Sequence, residues 1–155
     1  MRLAIQDTYP EDLAHCYGCG RLNPHGYRLK TYPAGKLTES RFTPAPYHTA
    51  IPGYVYGGLV ASLIDCHSTG SAAIFKMQAE GKEPGSEPAP RFVTARLEVD
   101  YLAPTPLGVE LKLVGRAVET KERKVVVATE MFAGDRLVAK GQAVLVLMPE
   151  TVAAK

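Results

Sequence analysis

The stretch that decides the fold is GYVYGGLVASLID, residues 53–65, in which a turn-forming composition gives way to a helical one. From residue 57 to about residue 78, large apolar side chains recur close to a 3.6-residue period, which predicts one long helix. The pair Gly57 and Gly58 stands at its start, where glycine is an acceptable cap. The chain is therefore expected to contain a long helix early in its length.

Strand patterns lie on both sides of this helix in the sequence. Residues 27–32 and 37–42 flank a Pro-Ala-Gly turn, which predicts a hairpin. A polar loop at 79–91 leads to four strands predicted at 92–102, 109–119, 125–132 and 137–148. Strict alternation in the first of these places Thr94 and Leu97 on opposite faces. One helix followed by four antiparallel strands predicts an α+β fold in which a sheet curls around a helix.

Length and composition exclude several classes of protein. The 155 residues, 46% of them hydrophobic, suit one domain over residues 1–155, with residues 1–26 as a leader lying on the main body. A formal charge of +2 without a long basic run argues against a nucleic-acid partner. No export signal and no bilayer-spanning stretch is visible, which predicts a cytoplasmic protein without a membrane partner.

The three cysteines are too few for a disulfide framework, and their number is odd. Cys16 and Cys19 form a close pair, but a structural zinc site needs four ligands and no second pair follows. The sequence therefore favours no metal and no cofactor, with both thiols in a tight glycine turn under the N-terminal segment. Cys66 is expected in the core.

Asp65 is the helix residue with the clearest chemical potential. Residues three and four apart share a helix face. The small side chains on the face of Asp65 are Ala61, Ser62, Ser68, Thr69 and Ala72. Such a stripe lets a second chain approach closely, and a carboxylate in that crevice could act as a base. The alternative is a solvated Asp on an exposed face, while His67 is expected to be a satisfied buried histidine.

The helix start offers a second reactive group. Free N–H groups at Gly57 and Gly58, at the positive end of the helix dipole, suit a carbonyl oxygen that gains negative charge. Eight residues, roughly 12 Å of helix, separate Gly57 from Asp65, which is too far for both to act on one carbonyl. Two antiparallel helices across a two-fold axis would bring each Asp65 near the other chain's Gly57. The spacing therefore predicts a composite site in a homodimer.

The run at 53–65 and the run FVTARLEVDYLAPTPLG at 92–108 resemble the hot-dog thioesterases of the phenylacetate-pathway type. The leader, with CYGCG at 16–20 and NPHGY at 23–27, is similar to that of many relatives. The resemblance covers about residues 16–148. It implies an antiparallel sheet wrapped around the helix, acyl-CoA as the substrate, thioester hydrolysis, and homodimers that pair into homotetramers.

The resemblance also implies roles for single residues. The residue matching Gly57 donates its N–H to the thioester carbonyl, and the one matching Asp65, from the other subunit, is the general base or nucleophile. Thr69, one turn beyond the acid, and Thr94, at a strand start, match hydroxyls that place the attacking water in some relatives. Helix packing and ordinary β-propensity are the alternatives for these two threonines.

One departure from the family pattern concerns the substrate contacts. Tyr56 stands where relatives carry a histidine before the two glycines, and a tyrosine can donate a hydrogen bond but carries no charge at neutral pH. The candidate substrate contacts are Gly58, Tyr56, Ser68 and His48. Two other functions stay open: an acyl-CoA-binding domain without turnover, which Tyr56 favours, and a dehydratase or hydratase, which would need a paired histidine and acid.

Overall fold

The computed structural model describes residues 2–149. Two short 3-10 turns, Ile5–Thr8 and Glu11–Leu13, precede the main elements. These are β1 Tyr32–Ala34, β2 Leu37–Phe42, α1 Gly57–Ala79, β3 Phe92–Tyr101, β4 Leu111–Thr120, β5 Lys124–Ala133 and β6 Arg136–Leu147. The strands form one antiparallel sheet in the order β1-β2-β4-β5-β6-β3. The predicted α+β hot-dog architecture, a sheet around one long helix, is confirmed.

The helix is buried on almost every side. Within Leu63 to Phe75, all of which the structure describes, every residue is buried except Asp65. The prediction that the stripe of small residues is open is therefore wrong for this part of the helix, because Ser68, Thr69 and Ala72 are buried within the chain. Small side chains here permit close packing within the chain, and the surface left for a second chain is the N-terminal part of the helix.

The first predicted strand is shorter and later than expected. Only its last residue, Tyr32, belongs to β1. The N–H groups of Tyr27 and Leu29 donate to the carbonyls of Tyr17 and Gly18, each at 3.0 Å, so this segment pairs with the leader and not with β2. Arg28 between them has φ of 54°, which breaks an extended strand.

A bulge in β3 changes the predicted alternation. The pairing of β3 with β6 slips by one residue between Thr94 and Arg96. The extra residue, Ala95, lets Thr94 face the helix on the same side as Leu97, which packs on the core. The prediction that Thr94 and Leu97 lie on opposite faces is therefore wrong, and the bulge is what aims Thr94 at the helix.

The two edges of the sheet differ. At one edge β1 is three residues long, whereas at the other β3 is ten residues long and, among the described strands, pairs with β6 alone. Exposed apolar side chains, Val93, Tyr101 and Leu102, lie along this long edge. In the part of the chain that the structure describes, the one helix longer than a few turns lacks the continuous apolar surface needed to cross a membrane.

Candidate active site

Asp65 projects from α1 toward the edge strand β3. The hydroxyl of Thr94 donates a hydrogen bond to Asp65 Oδ1 at 2.5 Å. The carboxylate is half-buried, between a packed core below and solvent above. The structure therefore brings together two of the residues that the sequence nominated, the acid of the helix and the strand-start hydroxyl.

The start of the helix contacts the other end of the same strand. The Tyr101 hydroxyl donates to the Gly57 carbonyl at 2.8 Å. Over residues 2–149, neither the Gly57 nor the Gly58 N–H donates to a protein acceptor, and the Tyr56 N-cap has no side-chain cap bond. These donors are thus available to an external oxygen at the positive end of the helix dipole.

Both glycines have neighbours that restrict what could replace them. A Cβ on Gly58 would meet Tyr56 Cε2 at 2.6 Å, whereas a Cβ on Gly57 would meet the Tyr101 ring at an ordinary 3.4 Å. The Tyr56 ring therefore lies directly over the first turn of the helix. Tyr56 stands next to the unbonded N–H groups of the helix start, at the position where the resembled family carries a histidine.

Tyr56 belongs to an aromatic cluster at the helix start. Its hydroxyl lies 3.1 Å from that of Tyr27, whose ring packs against His48 and Phe42. Since one of the two hydroxyls donates to the other, one O–H stays free to donate to a ligand. The cluster can therefore contact a neutral or anionic oxygen, although it carries no formal charge.

His48 is held rigidly beside this cluster. Its Nδ1 accepts from the Ala45 N–H at 2.9 Å, which leaves the proton of the neutral ring on Nε2, and its carbonyl accepts from the Tyr56 N–H. Burial lowers the pKa of His48, so the neutral form dominates at pH 7. His48 is thus a neutral N–H donor near Tyr56, and its contact with substrate stays a prediction.

A cleft of about 360 Å³ opens beside the helix start. It is lined by Gly57, Val60 and Tyr101 together with Val55 and the segment 102–105. The loop that leads to Gly57 is tied to this segment, because the Val55 N–H donates to the Thr105 carbonyl at 2.8 Å. A larger cleft, about 610 Å³, lies over β4, β5 and β6 and includes neither Gly57 nor Asp65.

The two remaining nominated hydroxyls point inward. Ser68 is fully buried, and its hydroxyl donates to the Ile64 carbonyl at 2.6 Å. Thr69 is 7% exposed, and its hydroxyl donates to the Cys66 carbonyl at 3.0 Å. The structure does not bring either hydroxyl together with Asp65 and Thr94, because the helix face that carries them is covered.

His67 has the structural role that the sequence predicted. It is fully buried, with Nδ1 2.6 Å from Ser40 Oγ and Nε2 3.3 Å from Thr38 Oγ1. Burial lowers its pKa to about 3, so the ring is neutral at pH 7. Its two nitrogens are satisfied inside the core and face away from the open edge.

The cysteines form a group that sequence reasoning missed. Cys16 and Cys19 were weighed as a pair without a second half-site, and Cys66 was assigned to the core. The fold places Cys66 Sγ 3.8 Å from Cys16 Sγ, and all three sulfur atoms lie within 4.8 Å of one another. The sequence spacing could not show this group, because Cys66 follows Cys19 by 47 positions.

Comparison with known proteins supports one family. Residues 52–140, more than half of the chain, match the family model of the thioesterase superfamily. The acyl-coenzyme A thioesterase THEM4 of Xenopus laevis is 30% identical over 94 residues, which are 61% of this chain and 36% of that protein. The chain thus spans about a third of the length of that curated relative.

Solved structures agree in fold. A thioesterase superfamily protein from Shewanella loihica PV-4 is 52% identical, with a TM-score of 0.65 over 82% of this chain and 96% of that chain. The E. coli PaaI protein from the phenylacetic acid degradation operon is 13% identical, with a TM-score of 0.64 over 79% of this chain and 81% of that one. The smu.793 protein of Streptococcus mutans, solved with acetyl CoA, is 17% identical, with a TM-score of 0.63 over 77% and 88%.

Proposed function

Since the chain belongs to the thioesterase superfamily, we propose that it hydrolyses an acyl-CoA thioester at a site shared by two copies of the chain. Asp65 of one protomer is the general base or nucleophile, and the Gly57 N–H of its partner stabilises the oxyanion. The proposal includes homodimers that pair into homotetramers, working in the cytoplasm with acyl-CoA as the small-molecule partner.

The observation that carries this proposal is the position of both groups along β3. The Asp65 carboxylate accepts a hydrogen bond from Thr94 near the start of the strand, and the Gly57 carbonyl accepts one from Tyr101 at its end. The helix is continuous from Gly57 to Ala79, so the acid lies about 12 Å along its axis from the donor. One protomer therefore presents the two halves of a site at the two ends of one strand.

Antiparallel pairing of two such strands would join the halves. If two β3 strands pair antiparallel about a two-fold axis near Leu97 or Glu98, the Thr94 end of one strand comes opposite the Tyr101 end of the other. The two-fold axis then places Asp65 beside the partner's helix start, twice in each dimer. The bulge at Ala95 supports this arrangement because it aims Thr94 at the acid.

The surface of the open edge favours such a partner. β3 is ten residues long, and within residues 2–149 no strand pairs with the backbone groups on its outer side, which is an unusually long uncovered edge. Along this edge the apolar side chains of Val93, Tyr101 and Leu102 are 38%, 56% and 49% exposed. Pairing would cover both the backbone groups and this apolar surface.

The proposed chemistry follows from these positions. In one route the Asp65 carboxylate takes a proton from water, and the hydroxide attacks the thioester carbonyl. The tetrahedral oxyanion is held by the partner's Gly57 N–H, the C–S bond breaks, and the CoA thiolate leaves and takes up the proton. In the other route the carboxylate itself attacks, and the C–S bond breaks to give an acyl anhydride and the CoA thiolate. Water then hydrolyses the anhydride, and the released proton goes to the thiolate.

The proposal is tested by hydrolysis of short, medium, long and aryl acyl-CoAs, with the released thiol measured by a thiol reagent. Turnover on at least one of them supports it. Binding in calorimetry with no turnover on any would favour the alternative, a domain that binds acyl-CoA without hydrolysing it.

A matched pair of variants isolates the backbone donor. Gly57→Pro removes the N–H at a helix position that proline tolerates, and Tyr56 before it already has the extended conformation that proline requires. Gly57→Ala keeps the N–H. We expect Gly57→Pro to lower kcat by about 100-fold or more and Gly57→Ala to stay close to wild type. Equal rates in the two variants would remove Gly57 from the mechanism.

A further inference from the structure

The three cysteines come together from two parts of the chain. Cys16 and Cys19 lie in the leader turn, whereas Cys66 lies on α1, directly after Asp65. Their sulfur atoms lie within 4.8 Å of one another, and Cys16 Sγ is 3.8 Å from Cys66 Sγ. The cluster therefore joins the leader to the central helix.

The spacing of the sulfur atoms matches a metal site. Zinc bound tetrahedrally by thiolates at about 2.3 Å separates neighbouring sulfurs by about 3.8 Å. We propose that Cys16, Cys19 and Cys66 bind a zinc ion, with a water molecule as the fourth ligand on the side of the half-buried Cys16. Tetrahedral sites rich in thiolate are typical of zinc.

The surrounding backbone is shaped to leave room for this cluster. A Cβ on Gly18 would lie 2.2 Å from Cys66 Sγ, and a Cβ on Gly20 would lie 2.4 Å from the Cys16 backbone nitrogen. The Gly20 N–H donates to the Cys16 carbonyl at 2.7 Å, which closes the turn that carries both leader thiols. The two glycines thus allow the turn to press its sulfurs against the helix.

The charges nearby suit a bound ion. Three thiolates and Zn²⁺ carry a net charge of −1, and the Arg91 guanidinium lies within electrostatic reach of all three cysteines. Among the described residues Arg91 has no carboxylate in an ion pair, and it stacks on Tyr9 at 4.9 Å. Arg91 would therefore neutralise the site, as buried charges require.

A buried hydroxyl also lacks a partner at this place. Tyr9 is 4% exposed, and within residues 2–149 its hydroxyl forms no hydrogen bond. It lies close enough to Cys19 and Cys66 for a negative charge on either sulfur to raise the pKa of the Tyr9 hydroxyl. A thiolate sulfur drawn into a zinc site, or the zinc-bound water, is the acceptor that would satisfy it.

Zinc binding would release three thiol protons and fasten the leader to α1. This site is independent of the proposed hydrolysis, because Asp65 points to β3 while Cys66 points to the leader. Its loss is expected to loosen the leader and lower the melting temperature, without removing a group from the proposed reaction.

The test is cobalt titration of the reduced chain of residues 1–155. We expect one cobalt per chain with a thiolate-to-cobalt charge-transfer band, displaced by zinc. Cys66→Ser should bind cobalt at least about 100-fold more weakly than the wild type. Mutation of a group that only hydrogen-bonds to a metal ligand already lowers metal affinity by about 10- to 100-fold. Asp65→Asn, a change at the neighbouring residue, should bind cobalt like the wild type.

Three results would overturn the site. The first is a reduced wild-type chain that shows no charge-transfer band and takes up no stoichiometric zinc. The second is an Asp65→Asn chain that loses cobalt, which would place the metal at the carboxylate. The third is a native mass two hydrogens lighter, which would show a disulfide.

A second measurement covers the case in which Cys66→Ser fails to fold. Alkylation of the native wild-type chain is compared with and without zinc. Protection of the half-buried Cys16 thiol by zinc supports the site, and equal alkylation of Cys16 in both samples contradicts it.

Discussion

Two titratable side chains two residues apart on one helix have opposite surroundings. His67 is fully buried, and both of its ring nitrogens are engaged by Ser40 and Thr38. Asp65 is half-buried, and its carboxylate accepts from Thr94 alone among the described side chains. The histidine faces the closed side of the sheet, and the acid faces the open edge strand.

This difference separates a polar residue that serves folding from one that is proposed to serve chemistry. A buried group with every hydrogen-bonding position satisfied can stabilise the core but cannot meet a substrate. A carboxylate that has one hydrogen-bond donor and free lone pairs at an uncovered sheet edge can contact a substrate. The comparison therefore predicts that changes at Asp65 act on rate and that changes around His67 act on stability.

The largest effect is expected from Asp65→Asn. Loss of the base or nucleophile should lower kcat by about 10² to 10⁴-fold on the best acyl-CoA substrate, while the free energy of unfolding changes by less than about 0.5 kcal/mol. Steady-state kinetics and urea unfolding measure the two. Asp135→Asn, in the β5–β6 turn, is the matched control and should alter neither.

Ser40→Ala should act on stability alone. It leaves His67 Nδ1 without its partner in the core, which costs about 1–3 kcal/mol of unfolding free energy. Ser62→Ala is the matched control, because its half-exposed hydroxyl donates only to the Gly58 carbonyl within α1. A large loss of kcat in Ser40→Ala at full folding would contradict the division between the two sides of the helix.

The buried histidine should also make stability depend on pH. The pKa of His67 is lowered from 6.5 in the unfolded chain to about 3 in the folded one, so the unfolded state binds more protons between these values. Its contribution to stability is therefore full above about pH 6.5 and falls by up to about 1.4 kcal/mol per pH unit as the pH drops toward 3. Urea unfolding from pH 7 to 4 should show this slope in the wild type and a smaller one in His67→Gln.

The smallest effect is expected at Thr94. Thr94→Val removes the hydrogen bond to Asp65 and should lower kcat about fivefold, since the acid stays in place but is less firmly oriented. Thr94→Ser keeps the hydroxyl and should restore the rate. If Val and Ser variants have the same kcat, the bond is a packing feature of β3 and not part of the site.

Much of the fold follows from local pattern. The helix start at Gly57 and the four long strands after it were predictable because their periodicity extends over many turns and residues. The acid on the helix was nominated from its distance to the helix start, since spacing along a helix converts directly to distance, and its catalytic role stays a prediction.

The rest depends on contacts between distant residues. The bulge at Ala95 arises from the register between β3 and β6, which alternation in one strand does not contain. The segment 27–31 bonds to the leader and not to β2, and Cys66 meets Cys16 only when the leader folds over the helix. Ser68 and Thr69 were placed on the face of Asp65 from helix spacing, which does not say which face the sheet covers.

The central claim is that the acid and the oxyanion donor of each site come from different chains. The direct measurement is the activity of a mixed dimer, with Asp65→Asn on one tagged chain and Gly57→Pro on the other, purified through both tags. Each variant alone should be inactive, and the mixed dimer should recover about half of the wild-type rate per dimer, because one of its two sites is intact. A mixed dimer as inactive as its parents would show that both groups act from the same chain and would contradict the account.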